Sequence, residues 1–212
     1  MTLVFDCSDP IQRERGFGAA IAAIRRNELV VLPTDTVYGL AADAFTPLAV
    51  DTLLATKGRG RDMPVPVLVA SREMAEALVG SLSDHGRLLA DSFWPGPLTL
   101  VTAHSPGLSW DLGDSRGTVA VRMPDHPLAL ALVAETGPLA VSSANRSGEA
   151  PATTVVEAQD QLGEDVSVYL DGGPCDRAVP STIIDLTGEA PRILRVGALD
   201  ADALRAVVPE IE

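Results

Sequence analysis

Short apolar runs alternate with longer stretches that carry helix-start signals, and this alternation limits the folds open to the 212 residues. Leu29-Val30-Val31-Leu32, closed by Pro33, is apolar on both faces, the pattern of a strand buried inside a sheet. Leu98–Thr102, Thr118–Arg122, Leu139–Ser142, Val166–Leu170, Thr182–Leu186 and Arg192–Val196 read as further strands. Val65–Val69 reads the same way, with Pro66 making it an edge strand or an irregular start. Between the strands, helices are expected at 10–27, about 47–55, 71–79, 83–92, 126–135, 154–162 and 200–206. Asp9 followed by Pro10 supplies an N-cap and a first helical position, and Ser71 supplies another cap. Strands and helices that interleave in this way predict an α/β (or α+β) fold around a mixed β-sheet.

A chain of this length buries a full core as one domain, 1–212, and no repeat, low-complexity tract or linker divides it. With 46% hydrophobic and 21% charged residues, the composition is that of a globule and not of a disordered or fibrous chain. The net charge of -13 argues against non-specific binding to nucleic acid or to an anionic membrane surface. It leaves room for a locally positive pocket that concentrates a small polyanion. Cys7 and Cys175 form no metal, redox or disulfide pattern and read as small buried residues. The N-terminus lacks a basic start and an apolar signal core, and no apolar run reaches bilayer length, so a cytoplasmic protein is expected.

Several standard sites are excluded. No Gly-Lys dipeptide exists, which rules out a phosphate-binding Gly-Lys-Ser/Thr loop, and Gly16-Phe17-Gly18 lies in a helical stretch without a third glycine. His85, His104 and His126 are scattered, with no metal-ligand spacing, and no nucleophile elbow occurs. An enzyme built on this chain has to position its reactants instead of attacking them.

Four polar islands sit at strand ends, where open α/β sheets bind ligands. They are Pro33–Leu40, Lys57-Gly58-Arg59-Gly60-Arg61, Ser142–Gly148, and Pro180-Ser181-Thr182 with Arg195 ending the next strand. Singly each reads as a turn or a helix cap. Together with Arg122 they suit a small zwitterion or a nucleotide. Lys57 is the sole lysine, the other fifteen basic residues among the 16 Lys and Arg being arginine. It is read here as a cation on a glycine-rich loop, open to a polyanion.

The ordered set Pro33-Thr34-Asp35-Thr36-Val37-Tyr38-Gly39-Leu40, Lys57-Gly58-Arg59, Trp94-Pro95-Gly96-Pro97-Leu98-Thr99, Val121-Arg122-Met123-Pro124, Ser143-Ala144-Asn145 with Ser147-Gly148, Pro180-Ser181-Thr182 and Leu194-Arg195 resembles the YrdC/Sua5 family from about residue 10 to 200. Its members are L-threonylcarbamoyladenylate synthases. The length is similar to that of the short YrdC-type members, which lack the extra C-terminal domain of the longer Sua5-type.

The resemblance implies a twisted mixed sheet flanked by helices, with a concave, positively lined cavity. It also implies a reaction in which L-threonine, bicarbonate and ATP, with Mg²⁺, give threonylcarbamoyl-AMP and pyrophosphate. The product would feed a separate transferase acting on adenosine 37 of tRNAs that read ANN codons. Carried over by motif, Lys57, Arg59, Ser143 and Asn145 match the family's signature tetrad. Thr36, Arg122 and Ser181 match positions around threonine, Lys57, Arg59, Thr118, Asn145, Thr153 and Arg195 match positions around ATP, and the tetrad is the implied catalytic group. The chain departs from the family at Gly60, at Met63-Pro64-Val65 and at Leu68, where some relatives place a histidine. Two other readings stay open. One is an RNA-binding or ribosome-maturation module, against which the charge weighs. The other is a carbamoyl-adenylate-forming domain, which in known cases belongs to larger proteins.

Overall fold

The computed structural model describes residues 2–175 and 177–212. The described elements alternate as the apolar runs dictate. Strand β1 (Leu3–Asp6) leads into helix α1 (Pro10–Arg25), and β2 (Val30–Leu32) and β3 (Gly39–Asp43) precede α2 (Pro47–Lys57). Next come β4 (Val67–Leu68), α3 (Arg72–Val79), α4 (Asp84–Phe93), β5 (Leu98–Ala103), β6 (Thr118–Arg122), α5 (Pro127–Thr136) and β7 (Leu139–Ser143). Helix α6 (Val155–Leu162), β8 (Val168–Asp171), β9 (Thr182–Asp185), β10 (Arg192–Arg195) and α7 (Ala201–Val207) complete the set.

All ten strands form one sheet in the order β1-β8-β2-β3-β7-β4-β6-β5-β9-β10. Pairing is mixed, parallel for β1 with β8, β8 with β2, β4 with β6 and β5 with β9, and antiparallel elsewhere. Side chains alternate between two cores, one on each face. Val30 and Leu32 join Ala23, Ile24, Leu132 and Val133 of α1 and α5 in one core. Val31 joins Leu40, Leu53, Val67, Val121 and Leu98 in the larger one. The caps act as the sequence requires. Asp9 accepts from Gln12 N, Ser71 from Met74 N, and Thr154 makes a reciprocal capping box with Glu157.

The structure differs from the sequence reading at several elements and at one cysteine. Strands β1 and β3 were not anticipated. In β3 the run Gly39-Leu40-Ala41-Ala42 is wholly buried, but its first two residues close the Pro33–Leu40 island, which reads as polar. The stretch 65–69 shrinks to the two residues of β4, which lies inside the sheet between β7 and β6. Pro66 is its irregular start: it has no N–H to give, and its carbonyl accepts from Val141 N at 2.8 Å. Finally, α2 runs two residues further than expected, so Lys57 is its last residue and is buried, not on an exposed loop. Cys175 is half-buried where a buried residue was expected; Cys7 is buried.

Candidate functional site

The stretch after β2, strands β5, β6 and β7, and the entry to β9 converge on a cavity of about 430 Å³. Gly39 permits the close approach at its floor, since a Cβ there would stand 2.7 Å from Val141 Cγ1. Arg122, at the end of β6, enters the cavity almost fully buried. Its guanidinium pairs with Asp35, the two side chains being 8% and 10% exposed. Nη1 donates to Thr36 Oγ1 at 3.0 Å and Nε to the Gly96 carbonyl at 3.0 Å. Burial lowers its pKa and the Asp35 carboxylate works against that, so the cation is matched by one anion. Of the five guanidinium N–H groups, one on each terminal nitrogen is left for a ligand.

The hydroxyls beside Arg122 have a fixed polarity. Thr34 Oγ1 gives its only proton to the Val37 carbonyl at 2.7 Å. In its 3.0 Å contact with Thr36, Thr34 therefore accepts. Thr36 Oγ1 thus donates to Thr34, accepts from Arg122, and keeps one lone pair for a donor on a ligand. Ser181, at the start of β9, shares a 2.8 Å hydrogen bond with Thr99 Oγ1. It also holds Arg195, whose Nη2 donates to the Ser181 carbonyl at 2.7 Å and to Oγ at 3.2 Å.

The second half of the cavity is unbalanced in charge. Arg59 reaches in from beyond α2 and donates from Nη1 to Ser142 Oγ at 3.2 Å. Its Nε is buried without a hydrogen-bond partner. Arg59 and Arg195 both line the cavity, and neither is in an ion pair among the described residues. Burial pushes both pKa values down; at Arg59 the Asp62 carboxylate works against this and the Arg195 charge adds to it. Guanidinium stays protonated regardless, so the pair presents positive charge that no ion pair matches, with a buried donor unmet. This is a place for a polyanion inside a protein of net charge -13.

Seven of the ten residues singled out from sequence line this cavity: Thr36, Arg59, Thr118, Arg122, Ser143, Ser181 and Arg195. Three do not. Lys57 Nζ is turned to the loop after β7, donating to Ser143 O at 2.5 Å, Asn145 O at 2.6 Å and, more loosely, Asn145 Oδ1 at 3.5 Å. Burial pushes its pKa down to about 8, with Arg59 as the second cause, while the three oxygens favour the protonated form. Asn145 spends its amide N–H groups on Arg146 O and Glu149 O. Thr153 gives both its backbone N–H and its hydroxyl to Glu157 Oε2, a local arrangement at the start of α6. Sequence reasoning placed Thr34, Asp35, Thr99 and Ser142 in its motifs and polar islands but gave none of them a role of its own. Thr99 was within reach: it alternates with the core residues Leu98 and Leu100 on a strand that begins in a quoted motif.

Comparison with known proteins agrees with this geometry. The family model Sua5_yciO_yrdC, described as Telomere recombination, matches residues 22–197. A Mycobacterium tuberculosis protein provisionally named threonylcarbamoyl-AMP synthase is 54% identical over 208 residues, covering 98% of this chain and 96% of that one. The threonylcarbamoyl-AMP synthase of Bacillus subtilis is 40% identical over 194 residues, covering 91% of this chain and 56% of its own. The crystal structure of Pyrococcus abyssi Sua5 complexed with L-threonine superposes with a TM-score of 0.91 at 35% identity, over 100% of this chain and 63% of that one. The chain thus spans about 60% of the length of these last two relatives. By its matched residues, its ten-stranded sheet and its motifs, the chain belongs to the Sua5/YciO/YrdC family.

Proposed function

We propose that this protein is an L-threonylcarbamoyladenylate synthase, joining L-threonine, bicarbonate and ATP into threonylcarbamoyl-AMP with release of pyrophosphate and water. The observation that carries the reading is the division of the cavity. One end holds a charge-balanced arginine, Arg122 with Asp35, beside the hydroxyls of Thr36 and Ser181. The other holds Arg59 and Arg195, neither of them in an ion pair among the described residues. A zwitterion suits the first and a polyphosphate the second. The relatives that carry this activity in their names, and the L-threonine held by the Pyrococcus protein, support the same assignment.

The chemistry needs no protein nucleophile. No histidine, cysteine or carboxylate is among the residues that line the cavity. The amine of threonine attacks the carbon of bicarbonate, water leaves, and a carbamate forms. A carbamate oxygen then attacks the α-phosphorus of ATP, and the α–β bridging oxygen departs with pyrophosphate. Arg122 and Thr36 orient the amino acid, and Arg59 and Arg195 stabilise charge on the phosphates. Catalysis is therefore positioning plus electrostatic stabilisation. Thr118 and Ser143 complete the cavity wall, while Asn145 and Thr153 act from outside it.

Mg²⁺ belongs to the nucleotide in this reading. Among the described residues no group of three or more His, Cys, Asp or Glu is arranged to hold a metal. The side chains do not fit a protein-held ion, and Mg²⁺ on phosphate oxygens with a water shell is its usual form. The product passes to a separate threonylcarbamoyl transferase acting on tRNA. No helix among the described residues is long and apolar enough to cross a membrane, and the proposed setting is the cytoplasm. The test is pyrophosphate release with each substrate omitted in turn. Release that requires both threonine and bicarbonate is the expected result, and equal release without threonine would refute the proposal.

A further inference from the structure

Lys57 does not touch the cavity, although it belongs to the motif that supplies Arg59. Its side chain is 4% exposed, and its ammonium meets three oxygens of one loop, Ser143 O, Asn145 O and Asn145 Oδ1. Its own carbonyl accepts from Ser147 N at 2.7 Å, so one residue grips the 143–147 loop from both ends. Gly58 then turns the chain in the left-handed region, φ 64°, and Arg59 is thrown back into the cavity to Ser142 Oγ. The three residues divide the work: Lys57 anchors, Gly58 turns, Arg59 reaches.

We propose that Lys57 is a positioning residue that holds the Ser143–Ser147 loop against the end of α2, and not a ligand of the nucleotide's phosphates. This rests on the synthase reading for its kinetic consequence only. The geometry also explains why one lysine stands in a chain whose other cations are all arginine. An ammonium offers three donors from a single point, matched to three converging oxygens, whereas a planar guanidinium in this buried slot can neither fit nor aim its fork.

A single lysine makes the test clean, because labelling the protein with ¹⁵N-lysine gives one Nζ signal. In the free protein we expect Lys57 to resist acetylation at least 100-fold more than in the urea-unfolded chain. A native amine modified at the unfolded rate would overturn the anchor whether or not any substrate binds. With saturating ATP and Mg²⁺, the Nζ resonance is expected to stay in place. A large shift, or new protection from acetylation, would mean that the amine moves to phosphate, and the proposal fails.

In Lys57→Met, hydrogen exchange at Ala144, Asn145 and Ser147 should rise at least tenfold, and L-threonine affinity without nucleotide should fall at least tenfold as Ser143 shifts out of the cavity wall. A phosphate ligand would leave both unchanged. Lys57→Arg should not restore either. Wild-type pyrophosphate release reports separately on the synthase reading, and the acetylation result keeps the proposal falsifiable if Lys57→Met does not fold.

Discussion

Adjacent residues of the Pro180-Ser181-Thr182 motif should respond oppositely to loss of a hydroxyl. Thr182 is fully buried and its Oγ1 makes three hydrogen bonds, donating to Leu199 O at 2.6 Å and accepting from Gly197 N at 2.9 Å and Leu199 N at 3.0 Å. Thr182→Val keeps the shape and removes all three. Two backbone N–H groups then lose their acceptor, at about 1–3 kcal/mol each. Both belong to half-buried residues, which favours the lower part of the range, so the expected loss is about 2–4 kcal/mol. For a chain of this size one kcal/mol shifts Tm by about 2–4 °C, giving a fall of roughly 4–16 °C. Ser181→Ala leaves the bonds from Arg195 to the Ser181 carbonyl intact and removes only the Thr99 contact and a long 3.2 Å bond. Its stability loss should stay near 1 kcal/mol, while pyrophosphate release falls at least tenfold. Differential scanning calorimetry beside the pyrophosphate assay separates the two. The reasoning is refuted if Thr182→Val melts within 2 °C of wild type, or if Ser181→Ala melts as low as Thr182→Val.

Other outcomes follow from the same geometry. Serine lacks one methyl of threonine, worth about 1–3 kcal/mol in a fitted pocket, so its kcat/KM should be roughly 10–200-fold lower; equal values would deny the substrate. Arg59→Leu should weaken ATP binding at least tenfold by calorimetry without lowering Tm, because the variant no longer buries an unpaired guanidinium N–H. Burial, with the Arg59 charge second, pushes the Lys57 amine down to about 8 from its ordinary 10.5. The folded protein therefore sheds this proton first, and as pH rises from 8 to 10.5 the group adds stability that is absent below 8. Turnover should move the other way, falling above pH 8 as the amine loses its third donor, and a kcat flat to pH 9.5 would contradict this. With 29 acidic residues against 16 basic ones, bulk tRNA should not bind at physiological salt, and salt-sensitive micromolar binding in a filter assay would favour an RNA-binding module.

Much of the fold was legible because its signals are local. Asp9, Ser71 and Thr154 cap helices through atoms three residues away, and Val30–Leu32 is apolar on both faces because both are covered. What escaped depends on partners far along the chain. β4 has two residues, and only β6 and β7 on its flanks make it an interior strand. Asp35 looks like a turn residue until Arg122, 87 positions later, is set against it. Lys57 was read as an exposed cation because the glycines after it suggest a loop. The oxygens that bury it come from residues 143 and 145, which no local pattern connects to it.

The order in which the ten strands lie also dictates when the enzyme can exist during its own synthesis. Leu3 of β1 pairs with Val168 of β8, and Leu98 of β5 with Thr182 of β9. A ribosome adding ~5–20 residues per second needs roughly 10–30 s to make the stretch that separates β1 from its partner. Over that interval the first strand lacks its partner in the sheet, and the cavity lacks the wall that β9 supplies. Such long-range pairing slows folding and leaves nascent edges open to the wrong neighbour. Binding competence should therefore arise late, once β9 and then Arg195 of β10 have emerged, and nascent chains halted before residue 182 should hold no ligand.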